Sequence, residues 1–180
     1  MIAGPSGVGK GSVVKGLLSG GSQGPVLSVS ATTRPPRPNE VDGRDYLFLD
    51  DEGFQRMVQD DGLLEWAEVF GNRYGTPRAF VEQERAAGRD VILEIDVQGA
   101  KLVRGQVPDA VLILLEPPSL EELARRLRGR GTESEEKIAL RLSEAGRELG
   151  LREMFDHVIV NDDLERASSQ VAAIIDASGP

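Results

Sequence analysis

Apolar positions along the chain fall into short runs that alternate with helical stretches. Met1-Ile2-Ala3 reads as the tail of a strand, and a glycine-rich loop follows at once. Val13 to Leu18 reads as helix and residues 20–25 as loop, while Val26 to Ser30 alternates as a strand does. Pro35, Pro36 and Pro38 forbid a regular helix within residues 31–45. Tyr46 to Leu49 predicts a strand, and Asp51 to Gln59 a short helix capped by Asp50 or Asp51. Leu63 to Val69 predicts another strand, ended by Gly71-Asn72. Thr76 to Ala87 predicts a helix with Pro77 near its first position and Gly88 just past its end. Val91 to Asp96 and Ala110 to Leu115 are near-continuous apolar runs, as in parallel strands buried on both faces. Gln98 to Gln106 lies between them as helix. Ser119 with Glu122 makes a capping box that opens a helix through Arg128, broken by Gly129-Arg130-Gly131. Glu135 to Leu149 is a long charged helix, His157 to Val160 a last strand and Leu164 to Ala177 a last helix.

Strands alternating with helices imply an α/β domain around a parallel sheet. The alternation fails over residues 31–75 and 129–150, which look like lobes grafted on a core. At 180 residues the chain has the size of one domain. A first strand of three residues is short against the usual five or six or so. That suggests a truncated start or an unusual initiation site.

Composition narrows the chemistry. No apolar run approaches the roughly 18 residues of a membrane helix, and no signal segment opens the chain. Cysteine is absent and there is one histidine, so disulfides, thiolate metal sites, a cysteine nucleophile and a histidine metal cluster are excluded. That histidine, His157, heads a strand and reads as structural. A net charge of −9 argues against a general nucleic-acid binder. Seventeen of the 21 basic residues are arginine. That is either coding bias or a need to hold phosphate and carboxylate groups bidentately.

Residues 4–12 are Gly-Pro-Ser-Gly-Val-Gly-Lys-Gly-Ser. Gly4, Gly9 and Lys10 fit the pattern G-x-x-x-x-G-K between a strand and a helix. Backbone N–H groups of such a loop wrap a phosphate, the helix N-terminus favours the anion, and the lysine reaches the β- and γ-oxygens. Gly11 follows Lys10 where Ser or Thr usually holds Mg²⁺. The metal is then expected on nucleotide phosphates and waters, with Ser12 left to touch a phosphate. Further on, Arg34 and Arg37 stand three apart on a proline-stiffened segment, with Tyr46 beyond. They could clamp a phosphate monoester, or form only a solvated basic loop.

Together these segments resemble the guanylate kinase family. The likeness rests on Ser30 through Glu40 with Gly43 and Tyr46, Glu65-Trp66-Ala67-Glu68, Gly71 through Thr76, and Glu94 through Gly99. It continues through Arg126 to Gly131-Thr132-Glu133, Arg141, and Val160 through Asp163, and covers nearly the whole chain. The resemblance implies a P-loop nucleoside-monophosphate-kinase fold: a central parallel sheet flanked by helices, a mixed α/β GMP-binding lobe (30–79) and a helical lid (121–150). The core would be 1–29, 80–120 and 151–180. Arg34, Arg37, Tyr46 and Tyr74 would hold the GMP phosphate, with Glu40 in the same site. Glu65 and Asp96 would accept from guanine N1–H and the 2-amino group, which adenine lacks, while Ser30 and Thr76 complete the base contacts. ATP would lie on Gly4, Pro5, Ser6, Gly7, Val8, Gly9, Lys10, Gly11 and Ser12, with Arg126, Arg130 and Asn161. Lys10, Arg34, Arg126, Arg130 and Arg141 would be catalytic, and Glu94 and Asp96 would reach Mg²⁺ through water.

The implied reaction is ATP + GMP ⇌ ADP + GDP, with dGMP as a second acceptor, in purine nucleotide metabolism. The implied protein is cytoplasmic, monomeric or homodimeric, with ATP and GMP as partners and neither nucleic acid nor membrane. On the residues alone Glu65 could be a plain exposed strand residue and Asp96 a helix cap. A catalytically dead phosphopeptide-binding relative, or a kinase for another monophosphate, are the competing readings. The retained Lys10, Arg126, Arg130 and Arg141 argue against the first, and Glu65 with Asp96 against the second.

Overall fold

The computed structural model describes residues 1–18, 24–129 and 134–178. In chain order its elements are β1 (Ile2–Ala3), α1 (Lys10–Leu18), β2 (Val26–Ser28), β3 (Ala31–Thr32), β4 (Leu47–Phe48), α2 (Asp51–Gln59) and β5 (Leu63–Val69). There follow β6 (Asn72–Pro77), α3 (Arg78–Ala86), β7 (Val91–Leu93), α4 (Val97–Gln106), β8 (Ile113–Glu116) and α5 (Leu120–Gly129). The chain closes with α6 (Glu135–Leu149), a single 3-10 turn (Arg152–Met154), β9 (His157–Val160) and α7 (Leu164–Ser178).

The apolar runs make the middle of a parallel sheet. β8 pairs with β1 on one side and β9 on the other, and β2 pairs with β7. The two pieces meet at a parallel bridge between Ile2 and Glu94, so the strands run β2-β7-β1-β8-β9. Side chains alternate across this sheet, as strand geometry requires. Ile2, Ile92, Ile113 and Leu115 pack with Val13 and Val14 of α1 and Ala167 and Val171 of α7. Ala3, Leu93, Leu112 and Leu114 pack with Val97, Ala100 and Val103 of α4.

The short β1 shapes its neighbours. Residues 110–112 were expected to be strand, but β8 begins only at Ile113. Leu112 N donates to the Asp156 carboxylate at 2.8 Å on the side of β9, while Ile113 N on the other side donates to Met1 O at 2.9 Å. The gap between the starts of β7 and β8 is a cavity of about 250 Å³, lined by Met1, Val91, Leu93, Val111 and Ile174 among others.

Residues 31–77 form a second sheet, ordered β4-β3-β6-β5. Two expectations need correction here. The strand expected over Val26 to Ser30 ends at Ser28, and residues 31–32 make a separate strand in the second sheet. Asn72 to Pro77 is also strand, so the helix expected from Thr76 starts at Arg78. Asn72-Arg73-Tyr74-Gly75-Thr76 lacks an apolar alternation, and pairing with β3 and β5 on both sides makes it a strand. Asp50 caps α2 by accepting from Gly53 N at 2.7 Å, and buried Phe54 ties that helix to Ala31 and Leu63.

β5 and β6 are joined by the two-residue turn Phe70-Gly71, with φ of 51° and 75°. Both positions are left-handed, as in the mirror-image turns that hairpins favour, where Asn and Gly are the usual residues. A phenylalanine there costs about 1–3 kcal/mol. Elsewhere α5 and α6 pack through Leu123, Leu127, Ile138 and Ala145. Among the described residues no helix is long and apolar enough to cross a membrane.

Candidate active site

The loop at 4–9 leaves β1 at the carboxyl edge of the parallel sheet and runs into the N-terminus of α1, where ligands bind in open α/β sheets. Its shape demands glycine. Gly4 has φ of 145°, and a side chain there would strike the carbonyl of Leu115. Gly9 has φ of 103°, and a Cβ would come within 2.5 Å of the Asn161 amide. That amide, buried, donates to Val8 O at 2.8 Å, and Arg126 donates to the same oxygen at 3.2 Å and to Asn161 O at 2.9 Å. Arg126 and Asn161 therefore brace the loop from α5 and from the end of β9. Lys10 Nζ donates to Gly4 O at 2.6 Å and Pro5 O at 3.4 Å. Arg141, on α6, donates to Ser6 Oγ at 2.6 Å. Ser12 is exposed on the first turn of α1, and Arg130 lies outside the described residues.

The second sheet gathers a second group of donors. Arg34 grips both Glu40 oxygens, at 2.9 and 3.0 Å, and donates to Pro35 O at 2.7 Å. Glu40 also accepts from Arg37 N at 2.6 Å. Here a side-chain carboxylate takes the Arg34 Nη2 nitrogen, a charge-assisted bond of the kind a phosphate oxygen also makes. Arg34 lies 5.3 Å from the Tyr46 ring centroid and 5.8 Å from that of Phe48, and Tyr74 packs edge-on to Tyr46 at 6.1 Å. Burial, and next the nearby Glu94, push the Tyr46 phenol up to about 12, so it is a permanent O–H donor at neutral pH.

Behind this clamp sits a buried acid. Glu65 is only 6% exposed, so it is no solvated strand residue. Thr76 Oγ1 donates to its Oε1 at 2.6 Å. Burial raises the Glu65 carboxyl to about 7; the Thr76 hydrogen bond opposes the rise and Asp96 adds to it. Asp96 does cap α4, one oxygen accepting from Gly99 N at 2.8 Å. Ser30 is half-buried where the chain enters β3, its carbonyl accepting from Leu47 N at 2.9 Å.

Glu94 stands near both the glycine loop and the arginine-bearing lobe. Burial raises its carboxyl, opposed by the charges of Lys10 and then Lys15. A Cβ on Gly11 would sit 3.5 Å from its Oε2, so Glu94 faces the position that departs from the usual loop pattern. Sequence reasoning missed Glu148, in the last turn of α6. Burial raises it to about 7, with Lys10 opposing and Asp96 and Glu144 adding to the rise. The only signal was its spacing, since Arg141, Glu144 and Glu148 share one helix face.

A glycine loop at a helix N-terminus and a separate arginine-bearing lobe, with the Glu94 carboxylate near both, suit an enzyme whose acceptor is itself a phosphate, and the chain is built as a P-loop nucleotide kinase. The guanylate kinase family model matches residues 1–178. The chain is 51% identical over 175 residues to the guanylate kinase of Symbiobacterium thermophilum, covering 97% of this chain and 82% of that one. It is 52% identical to that of Thermobifida fusca over 177 residues, covering 98% and 90%. The crystal structure of guanylate kinase from Anaplasma phagocytophilum superposes with a TM-score of 0.80 at 34% identity, covering 99% of this chain and 84% of that one. The chain belongs to the guanylate kinase family and is a nucleoside monophosphate kinase, an ATP:GMP phosphotransferase.

Proposed function

We propose that ATP lies on residues 4–12 with its phosphates at Lys10, Arg126, Arg130 and Arg141, and that GMP lies in the lobe formed by residues 30–79. The observation that supports this most is the opposite chemistry gathered by the second sheet and the start of α4. Arg34, Arg37, Tyr46 and Tyr74 offer donors to a phosphate, while Glu65 and Asp96 offer acceptors to a base. Thr76 orients Glu65, Ser30 completes the base contacts, and Asn161 lies by the adenine. Guanine brings N1–H and a 2-amino group to those carboxylates. Adenine brings neither and would leave them unpaired, which is expensive when buried.

The acceptor phosphate has a second pKa of about 6, so it is mostly dianionic at neutral pH and needs no general base. The protein's task is then to position two anions and neutralise their charge. Lys10, Arg34, Arg126, Arg130 and Arg141 do this. The lobe closes on GMP, and the lid of residues 121–150 closes on ATP, excluding water that would otherwise hydrolyse ATP.

Mg²⁺ fits this site in one way. Among the described residues no group of three or more His, Cys, Asp or Glu could hold a metal. One carboxylate, Glu94, faces the loop at Gly11, and oxygen donors suit a hydrated ion carried mainly by phosphates. Glu94 and Asp96 would hold it through water, and when bound it neutralises charge on the β- and γ-phosphoryl oxygens. The protein would work in the cytoplasm on small-molecule nucleotides.

The test is ADP release with ATP and Mg²⁺, offering GMP, dGMP, AMP, CMP and UMP separately. Turnover confined to the guanine nucleotides is expected; equal turnover with AMP overturns the base site. Arg34→Lys keeps the charge and loses the fork. It should raise the KM for GMP about 30-fold, equivalent to about 2 kcal/mol for a charge-assisted hydrogen bond, and leave the KM for ATP within twofold.

A further inference from the structure

Arg141 touches three parts of the molecule that the chain keeps far apart. It is rooted in α6, donates to Ser6 of the phosphate loop at 2.6 Å, and lays its guanidinium over Phe70, 4.6 Å from the ring centroid. Stacking uses the face of the guanidinium, so its N–H donors still act in the plane, and one of them reaches Ser6.

Phe70 is an odd residue for its place. It tips the β5–β6 hairpin at a φ of 51°, where Asn is the ordinary choice, and stays 39% exposed. It is not in a core cluster, so packing does not explain the ring. A strained side chain that persists without burial points to function. The ring's stacking contact is the arginine that sits on the phosphate loop.

We propose that Phe70 is a positioning residue that couples the two nucleotide sites by holding Arg141 on the phosphate loop. The hairpin belongs to the sheet that carries Arg34, Glu65 and Tyr74. Movement of that sheet onto the acceptor therefore moves Phe70, and Phe70 carries Arg141 with it towards the donor phosphates. Occupation of the acceptor site then favours the arrangement that binds the donor, and the coupling is reciprocal. This rests on the assignment of the two sites made above.

The test is Phe70→Asn in the full chain. Asparagine suits the left-handed turn, so the hairpin stays intact and the melting temperature does not fall. In the parent, saturating GMP should tighten binding of a non-hydrolysable ATP analogue at least about fivefold, the low end of allosteric couplings. In Phe70→Asn that ratio should drop below about twofold and kcat about tenfold, with GMP affinity alone unchanged; Phe70→Tyr should restore both. In an Arg141→Ala background, Phe70→Asn should have no further effect. Parent-like coupling in Phe70→Asn, or a parent with no coupling, overturns the proposal. A substantial loss of kcat from Phe70→Asn in the Arg141→Ala background means the ring does not act through Arg141, and also overturns it. A parent that binds both nucleotides but does not turn over would instead defeat the assignment of the sites.

Discussion

Lys10→Ala should lower kcat about a thousandfold and leave the dissociation constant for GMP within twofold. Lys10 opens α1 beside the loop glycines, and its ammonium donates to Gly4 O, 2.6 Å away. That bond keeps the side chain folded over the loop where the donor phosphates come. Its charge therefore acts where negative charge builds up during transfer, and removing one such preorganised group costs about a hundred- to a thousandfold. A thousandfold is about 4 kcal/mol. The proposed acceptor site lies on a different sheet, with Arg34, Glu40, Tyr46 and Glu65, so GMP binding has no reason to follow. Stability will follow a little. Losing a hydrogen bond to a loop carbonyl costs about 1 kcal/mol, or about 2–4 °C in melting temperature for a chain of this size. ADP release, GMP titration by calorimetry and a thermal melt separate the three effects. A comparable loss of GMP binding would sink the assignment of Lys10 to the donor.

How much of this was legible in the sequence depends on how local the cause is. The strand cores at 91–93 and 113–115, an aspartate cap at Asp50 or Asp51 and the limits of α6 at Glu135 and Leu149 are written in neighbouring residues, and the fold uses them. β3 and β6 are not written locally. Residues 31–32 and the polar stretch at 72–77 become strands through pairing with partners distant in sequence across the second sheet. The phosphate loop is likewise local and was readable from its glycines. The closeness of Gly11 to Glu94, the brace of Arg126 and Asn161 on Val8, and the burial of Glu148 arise from chain segments brought together by folding. Pattern alone could name some of those residues but not their contacts. The double character of Asp96 shows the limit well. A cap and a base-reading acid look alike in sequence, and the structure shows it capping α4 while its charge reaches Glu65.

The KM for GMP should rise about tenfold for each pH unit below 7 and level off above it. Glu65 sits at about 7, raised chiefly by burial. A guanine N1–H needs an ionised acceptor, so below that pH binding must first expel a proton. The same shift acts on stability with a definite sign. Between the ordinary value of 4.5 and about 7 the folded chain holds a proton that the unfolded chain has lost. Stability therefore falls as pH rises through that window and stays flat above it. Glu65→Gln separates function from stability. It should leave only the shallower pH dependence set by the acceptor phosphate, whose second pKa is about 6, and raise the KM at pH 8 at least about a hundredfold, because a donor amide now faces the N1–H. It should also melt higher than the parent at pH 8, and at the same temperature near pH 4, where the parent carboxyl is itself neutral. Combining it with Asp96→Asn should relax the choice between GMP and AMP. A parent whose KM is flat from pH 6 to 8, or a double variant that still prefers GMP as strongly, would remove these two acids from base recognition. The site keeps a carboxylate at a cost in stability, and the return is a base pocket that adenine cannot satisfy.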